Sequence, residues 1–289
     1  GRIQDIEGRG ALVFIAAGDR GFQMVDVRNP AGMMNAGYLQ SLGRVNALDV
    51  SDSFAVIYHY PTMSLVDTRK PLGPRVRSSV SIFGVSCDVA LEGEYALVTN
   101  RRYIISVDIR NPDALVKADS LELGDTARSI RVMGGRAYVG LANGRVEICD
   151  LSQLPRITTT GSVSAHLFGA LAVGSDRIAL MTSSGELTVY AAGNPPTILA
   201  STSVVAGSSP SAVAVNDTTL YVCEGSSLAA YRITEGAGII TSSRRYHDLL
   251  PKHESMMTFN CRGQAIGNGS RVPMTCFDAA KRLSMVYFP

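Results

Sequence analysis

Short apolar runs rich in Val, Ile, Leu and Tyr alternate along the chain with Gly, Asn, Ser and Pro, and few stretches hold a helical period. Around Asp67 the pattern resolves into four strands, over 45–50, 54–59, 63–67 and 77–82. Three closely similar segments set the spacing: Phe22-Gln-Met-Val-Asp-Val-Arg-Asn-Pro30, Met63-Ser-Leu-Val-Asp-Thr-Arg-Lys-Pro71 and Ile104-Ile-Ser-Val-Asp-Ile-Arg-Asn-Pro112. Their aspartates, Asp26, Asp67 and Asp108, stand 41 residues apart. The series continues to Asp150 and then to Tyr190, Tyr231 and Phe277, where an aromatic residue takes the aspartate's place, giving seven copies in 289 residues. Self-similarity at this period outranks any single motif as a guide to fold.

The link between second and third strands is tight in every copy where it can be read: Gly18-Asp-Arg-Gly21, Asn143-Gly144, Ser183-Ser-Gly185 and Asn268-Gly269. Asn-Gly suits a two-residue hairpin because both turn positions take positive φ. Four antiparallel strands per copy, without helices to cover an open sheet, predict an all-β seven-bladed β-propeller, which leaves only short, protected edges. The expected blades are about 1–42, 43–83, 84–124, 125–165, 166–206, 207–250 and 251–289 of a single domain. The aspartate recurs in four copies, which points to a fold requirement. Pro ends the strand because it cannot donate to the ladder, and Asp and Asn turn back on local amides. The chain opens on an innermost-type strand and finishes on an outermost-type one, so the ring is expected to close either between whole blades or with a further strand from a longer precursor.

The strand ending in Val-Asp-Val-Arg-Asn-Pro, preceded by the hairpin from Ala11 to Gly21, resembles the LVIVD-repeat family of β-propellers. The match is good in the first three copies and fair at Val146-Glu-Ile-Cys-Asp150, and Gly193-Asn-Pro195 keeps the ending of the fifth. The resemblance implies a propeller that is extracellular, periplasmic or displayed on the cell surface in bacteria and archaea, with no reaction attached and no functional residue to carry over.

Composition narrows the partners. The formal net charge is only +2 and the 23 Arg and 4 Lys are scattered, which argues against nucleic acid. No apolar run is long enough to span a membrane. Of five cysteines, Cys87, Cys149 and Cys223 read as small buried hydrophobes. With Asn268-Gly269 as a two-residue turn, Cys261 and Cys276 become cross-strand partners, so this pair is the disulfide candidate; its formation would fit an oxidising compartment. No zinc-type Cys-x-x-Cys, nucleophile elbow, phosphate-cradling loop or His-Glu-x-x-His motif occurs.

His59 ends a strand and reads as a plain edge residue. The remaining candidates fall on loops leading into innermost strands, which in a propeller ring one mouth of the central channel: Arg44, Arg128, His166, and, on the longest such loop, His247, Asp248, His253 and Glu254. Long loops on a rigid scaffold are where binding sits. The resulting expectation is a non-catalytic module outside the cytoplasm that contacts another protein or a surface polymer, carries no cofactor and belongs to a larger assembly or a longer chain. The competing expectation is a hydrolase or lyase with its site at the channel mouth, with or without a metal; on that reading His166, His253 and Glu254, joined by His247 or Asp248, bind a metal or an anionic group, and no residue is assigned as catalytic.

Overall fold

A computed structural model describes residues 3–83, 86–164, 168–174, 176–193, 196–203, 210–215, 219–224, 227–234, 238–245, 274–277 and 283–286. The strands fall into six four-stranded antiparallel meanders and one two-stranded pair. Sheet one holds β1 (Asp5–Arg9), β2 (Leu12–Ala16), β3 (Phe22–Asp26) and β4 (Met34–Leu39), with a single 3-10 turn, Pro30–Gly32, between the last two. Sheet two holds β5 (Ala47–Val50), β6 (Phe54–His59), β7 (Thr62–Asp67) and β8 (Arg75–Ser81). Sheet three holds β9 (Ser86–Glu92), β10 (Tyr95–Asn100), β11 (Tyr103–Asp108) and β12 (Val116–Glu122); sheet four holds β13 (Ala127–Met133), β14 (Arg136–Leu141), β15 (Arg145–Asp150) and β16 (Thr158–Ser164). Sheet five comprises β17 (Phe168–Val173), β18 (Arg177–Thr182), β19 (Glu186–Ala191) and β20 (Thr197–Ser203), and sheet six β21 (Pro210–Val215), β22 (Thr219–Glu224), β23 (Ser227–Thr234) and β24 (Gly238–Arg245). The final pair is β25 (Met274–Phe277) and β26 (Leu283–Val286).

The chain packs as two units, residues 1–142 with 147–160, and residues 143–146 with 161–289. In the first unit the innermost strands follow one another, β1 beside β5, β5 beside β9 and β9 beside β13. Their cores lie between sheets: Phe14, Phe22 and Met24 against Leu48 and Ile57; Val56, Tyr58 and Leu65 against Val89 and Val98; Leu97 and Ile104 against Ile130, Val139 and Cys149. In the second unit Met181, Leu187 and Val189 meet Val213, Leu220, Val222 and Tyr231. Sheets two and three are thus apolar on both faces because each face is covered by a neighbour. Cys149 is fully buried, and burial first and then the Glu147 charge push its thiol up to about 12, so it is an inert core residue.

A ladder of carboxylates stitches the innermost strands together. One oxygen of Asp5 accepts the Leu48 N–H at 2.9 Å, one of Asp49 the Leu91 N–H at 2.7 Å, and one of Asp88 the Ile130 N–H at 3.1 Å. In each case the other oxygen takes the amide of the following residue, Ile6, Val50 or Val89. These links join the innermost strands of the first four sheets in series.

The repeat aspartates are turn formers, as their recurrence implies. Asp26, Asp67, Asp108 and Asp150 each accept the backbone N–H two residues on, from Arg28, Arg69, Arg110 and Ser152. Asn29 and Asn111 repeat the device on Ala31 and Asp113. The arginine of the motif also has a role: Arg28, Arg69 and Arg110 fold back on their aspartates in ion pairs, and Arg69 and Arg110 lie over the rings of Phe54 and Tyr95. Register corrects two positions. In sheets five and six the residues at the aspartate's place are Ala191, paired with Arg177, and Arg232, paired with Thr219. Tyr190 and Tyr231 stand one residue earlier, at the core position held by Val25, Val66 and Val107.

His59 is not a plain edge residue. Its Nε2 shares a hydrogen bond with the Ser64 hydroxyl at 2.6 Å, Ser64 Oγ lies 2.7 Å from Ser79 Oγ, and the Leu42 backbone also bonds the ring. Half-burial lowers its proton affinity. Hydrogen bonds from their arginines hold Asp26, Asp67 and Asp108 below the ordinary carboxylate range. Both kinds of shift have one sign: the unfolded chain binds protons more readily than the folded one, so stability is lost as pH falls. The His59 contribution fades below about pH 6.5 and the aspartate contribution below about pH 4, down through the folded-state values. The melting temperature is therefore expected to decline in two stages on acidification, with Asp67→Asn flattening the second; a melting temperature unchanged between pH 7 and 3 would refute this.

Candidate functional site

In a four-stranded meander, the turns between second and third strands share one end of the sheet with the links into the next innermost strand. In the first unit this end is tied down by backbone hydrogen bonds. Val45 N–H donates to the Gly18 carbonyl at 3.0 Å, Ile82 N–H to Pro61 at 2.7 Å, Leu123 N–H to Arg102 at 2.6 Å and Ala127 N–H to Arg101 at 2.7 Å. Each link is thereby strapped to the hairpin turn of the sheet it leaves.

Two sequence-predicted rim residues fall here. Arg44 is exposed on the link into β5. Arg128 is exposed in β13 as the extra residue of a β-bulge, between the pairs Ala127 with Leu141 and Ser129 with Gly140. A bulge re-aims the side chain it carries. The same irregularity recurs at Gly169 in β17 and Ser211 in β21, so the bulge belongs to the repeat and the arginine to this copy. His166, His247, Asp248, His253, Glu254 and Cys261 lie outside the described residues. Cys276 lies in β25, opposite Ser284 in the backbone register. Among the described residues no group of three or more His, Cys, Asp or Glu stands together as a metal site.

The structure adds residues at the same end that the sequence did not single out. Arg20 and Arg101 are exposed on the hairpin turns of sheets one and three. Neither they nor Arg44 and Arg128 make an ion pair with a described residue, and Arg102 lies 3.9 Å from Glu122. Three aromatic rings accompany them: Tyr60 is 62% exposed, Phe83 73% and Tyr103 41%. The acids described as exposed or half-buried at this end of the first unit are Asp19, Glu122 and Asp125; Asp5, Asp88 and Glu147 lie buried beneath it. The opposite end differs, because the arginines following the repeat aspartates are neutralised there, as Arg9 is by Asp52 and Arg77 by Asp113. Guanidinium groups free of counter-ions beside exposed rings are the side chains that dominate recognition surfaces.

The LVIVD repeat profile matches residues 1–39, 83–120 and 124–164. The chain carries LVIVD repeats. Its aspartate turns at Asp26, Asp108 and Asp150 fall inside the matched stretches. Solved structures resemble this LVIVD-repeat chain in fold. The β-propeller domain of Myceliophteria thermophila Cps50 (Swd1) is 11% identical with a TM-score of 0.70, over 100% of this chain and 98% of that one. A functionally unknown protein from Desulfotomaculum acetoxidans is 14% identical with a TM-score of 0.70, over 82% and 84%. The computationally designed protein Ika8 is 12% identical with a TM-score of 0.66, over 99% and 96%. At these identities the likeness speaks for fold alone, and the fold is a β-propeller. No curated protein matches the sequence.

Proposed function

We propose that this LVIVD-repeat propeller is a non-catalytic binding module acting outside the cytoplasm, and that the end carrying Arg20, Arg44, Arg101 and Arg128 with Tyr60, Phe83 and Tyr103 contacts another protein. The observation that supports this most is the contrast between the two ends: Arg9, Arg28, Arg69, Arg77 and Arg110 are held in ion pairs at one, where Arg75 and Arg156 alone stand outside the pairs described, while Arg20, Arg44, Arg101 and Arg128 are left to solvent with exposed rings at the other. Straps from each link to its hairpin turn give this end the rigidity that limits the entropic cost of association. The repeat supports a ring of seven blades. In the sequence Phe277 is followed by Asp278 as Cys149 is by Asp150, which supplies a fifth aspartate of the series, in the seventh copy. An experimental structure with another number of sheets around the axis would overturn the seven.

The test is a pull-down from the native source with wild type and with Arg44→Glu/Arg128→Glu, followed by reconstitution of the captured complex from purified components. Wild type is expected to hold the partner and the double variant to lose it. Equal capture by both would overturn the assignment of the face. A stoichiometric bound metal by elemental analysis, together with turnover abolished by His253→Ala, would replace the binding module with an enzyme.

A further inference from the structure

We propose that the partner presents an acidic peptide segment, which docks on the corner of this face formed by Arg101, Arg102, Arg128, Phe83 and Tyr103. The inference rests on the binding-face reading above and names the chemistry of its ligand.

The corner is assembled by observed bonds. Ala127, the residue before Arg128, donates its N–H to the Arg101 carbonyl at 2.7 Å, which places the β13 bulge against the hairpin turn of sheet three. The Asn100 side chain donates to the Phe83 carbonyl, which ties the link from sheet two to the same turn. Tyr103 closes the turn opposite Asn100. Three arginines and two exposed rings therefore share one backbone knot.

The conformation of the turn argues that its residues are kept for something other than folding. Arg101 has φ of +51°, while the corresponding hairpins of sheets one, four and five use glycine at positive φ: Gly18 and Gly21, Gly144, and Gly185. A non-glycine residue in this region costs roughly 1 kcal/mol, and strain of this kind concentrates where a side chain is needed. Glycine would relieve it, yet an arginine stands there, its carbonyl held by Ala127 and its guanidinium unclaimed by any described acid.

Arginines in a fixed cluster suit carboxylates, because the planar guanidinium takes a carboxylate through two parallel hydrogen bonds. The flanking rings suit an apolar anchor between the acids. The chain as a whole carries only +2, so the attraction is local to this corner and favours a short acidic segment over a long polyanion tracked along the surface.

Fluorescence anisotropy with a fluorescein-labelled peptide of Asp and Glu around a single Phe tests the proposal. Wild type is expected to bind it saturably, more weakly as salt is raised, and not to bind a lysine-rich counterpart. Arg101→Glu/Arg102→Glu/Arg128→Glu is expected to weaken binding at least about tenfold and Phe83→Ser/Tyr103→Ser by about tenfold. Arg156→Glu, the same charge change at the opposite end, should alter it less than about twofold. All variants should melt with wild type. Absence of saturable binding, or binding unaffected by the triple change, overturns the inference. Displacement by polygalacturonate at equal carboxylate concentration overturns it in favour of an acidic polysaccharide. Capture of the native partner keeps the two readings apart: if the triple variant loses the partner while wild type ignores the acidic peptide, the face stands and the acidic segment falls; if the triple and Arg44→Glu/Arg128→Glu variants both keep it, the face falls as well.

Discussion

Asp88→Ala is expected to destabilise the protein by about 3–5 kcal/mol, enough to lower its melting temperature by roughly 10 °C. Asp88 accepts from the amides of Val89 and Ile130 and, at 2.7 Å, from Arg131 Nη1. The side chains of the pair are only 11% and 12% exposed. Removing the carboxylate leaves the guanidinium in a site with little water and deprives two amides of an acceptor. The cost should be separable. Asp88→Asn keeps an acceptor for the amides and should fall between wild type and Asp88→Ala. Adding Arg131→Met to Asp88→Ala removes the stranded charge and should recover a substantial part of the loss. A double-mutant cycle by thermal melting checks this; additive losses would show that the ion pair is not what the site depends on.

Much of the fold could be read from the chain because the repeat is enforced by chemistry that sequence displays directly. A carboxylate capping the amide two residues on, followed four residues on (five at Asp150) by a proline that cannot extend the ladder, needs particular residue types, so Asp26, Asp67, Asp108 and Asp150 announce the period. The displacement at Tyr190 and Tyr231 has a physical reason. A tyrosine fills a core position with a ring as readily as valine does with methyl groups, and both tyrosines are buried, so their size drew them into the aspartate series one residue too early. Anchoring on the hairpin turn instead restores Ala191 and Arg232.

The carboxylate ladder was not legible, because Asp5, Asp49 and Asp88 are separated by 44 and 39 residues and so break the period. Asp49 pairs with Val56, two residues from the start of β6, whereas Asp5 pairs with Ala16, four residues from the start of β2; positions two apart on a strand share a face, and either can reach the next innermost strand. At the binding face, Arg44 and Arg128 were legible from their place before innermost strands. Arg101 and Arg102 were not, since a turn search looks for glycine. The signal was there in another form: Asn100-Arg-Arg-Tyr103 stands where the first, fourth and fifth copies spend a glycine.

The second large effect is expected from Gly37→Val, through the interlock between sheets. Gly37 is buried in β4, where a Cβ would meet the Pro71 carbonyl oxygen at 2.1 Å and Pro74 Cδ at 2.9 Å. Those atoms belong to the turn of sheet two, whose backbone cannot step aside without shifting the sheet. The same turn-on-strand contact recurs as Ser78 Oγ to the Pro112 carbonyl at 2.6 Å and Ser106 Oγ to the Pro155 carbonyl at 2.8 Å. Glycine in β4 thus does by absence what the serines do by hydrogen bonding: it lets the proline turn of the next sheet seat. Forcing a β-branched side chain into the seat should cost about 3 kcal/mol. Gly161 supplies the control, because it is likewise the fourth residue of an outer strand, β16, yet a Cβ there meets no atom of a described residue within 4 Å. Gly161→Val should change stability by less than about 0.5 kcal/mol, with β-branching favouring the strand. Parallel thermal melts decide it. Equal melting of the two variants would mean that the proline turns do not interlock the sheets, and that the inter-sheet cores and the carboxylate ladder alone hold them together.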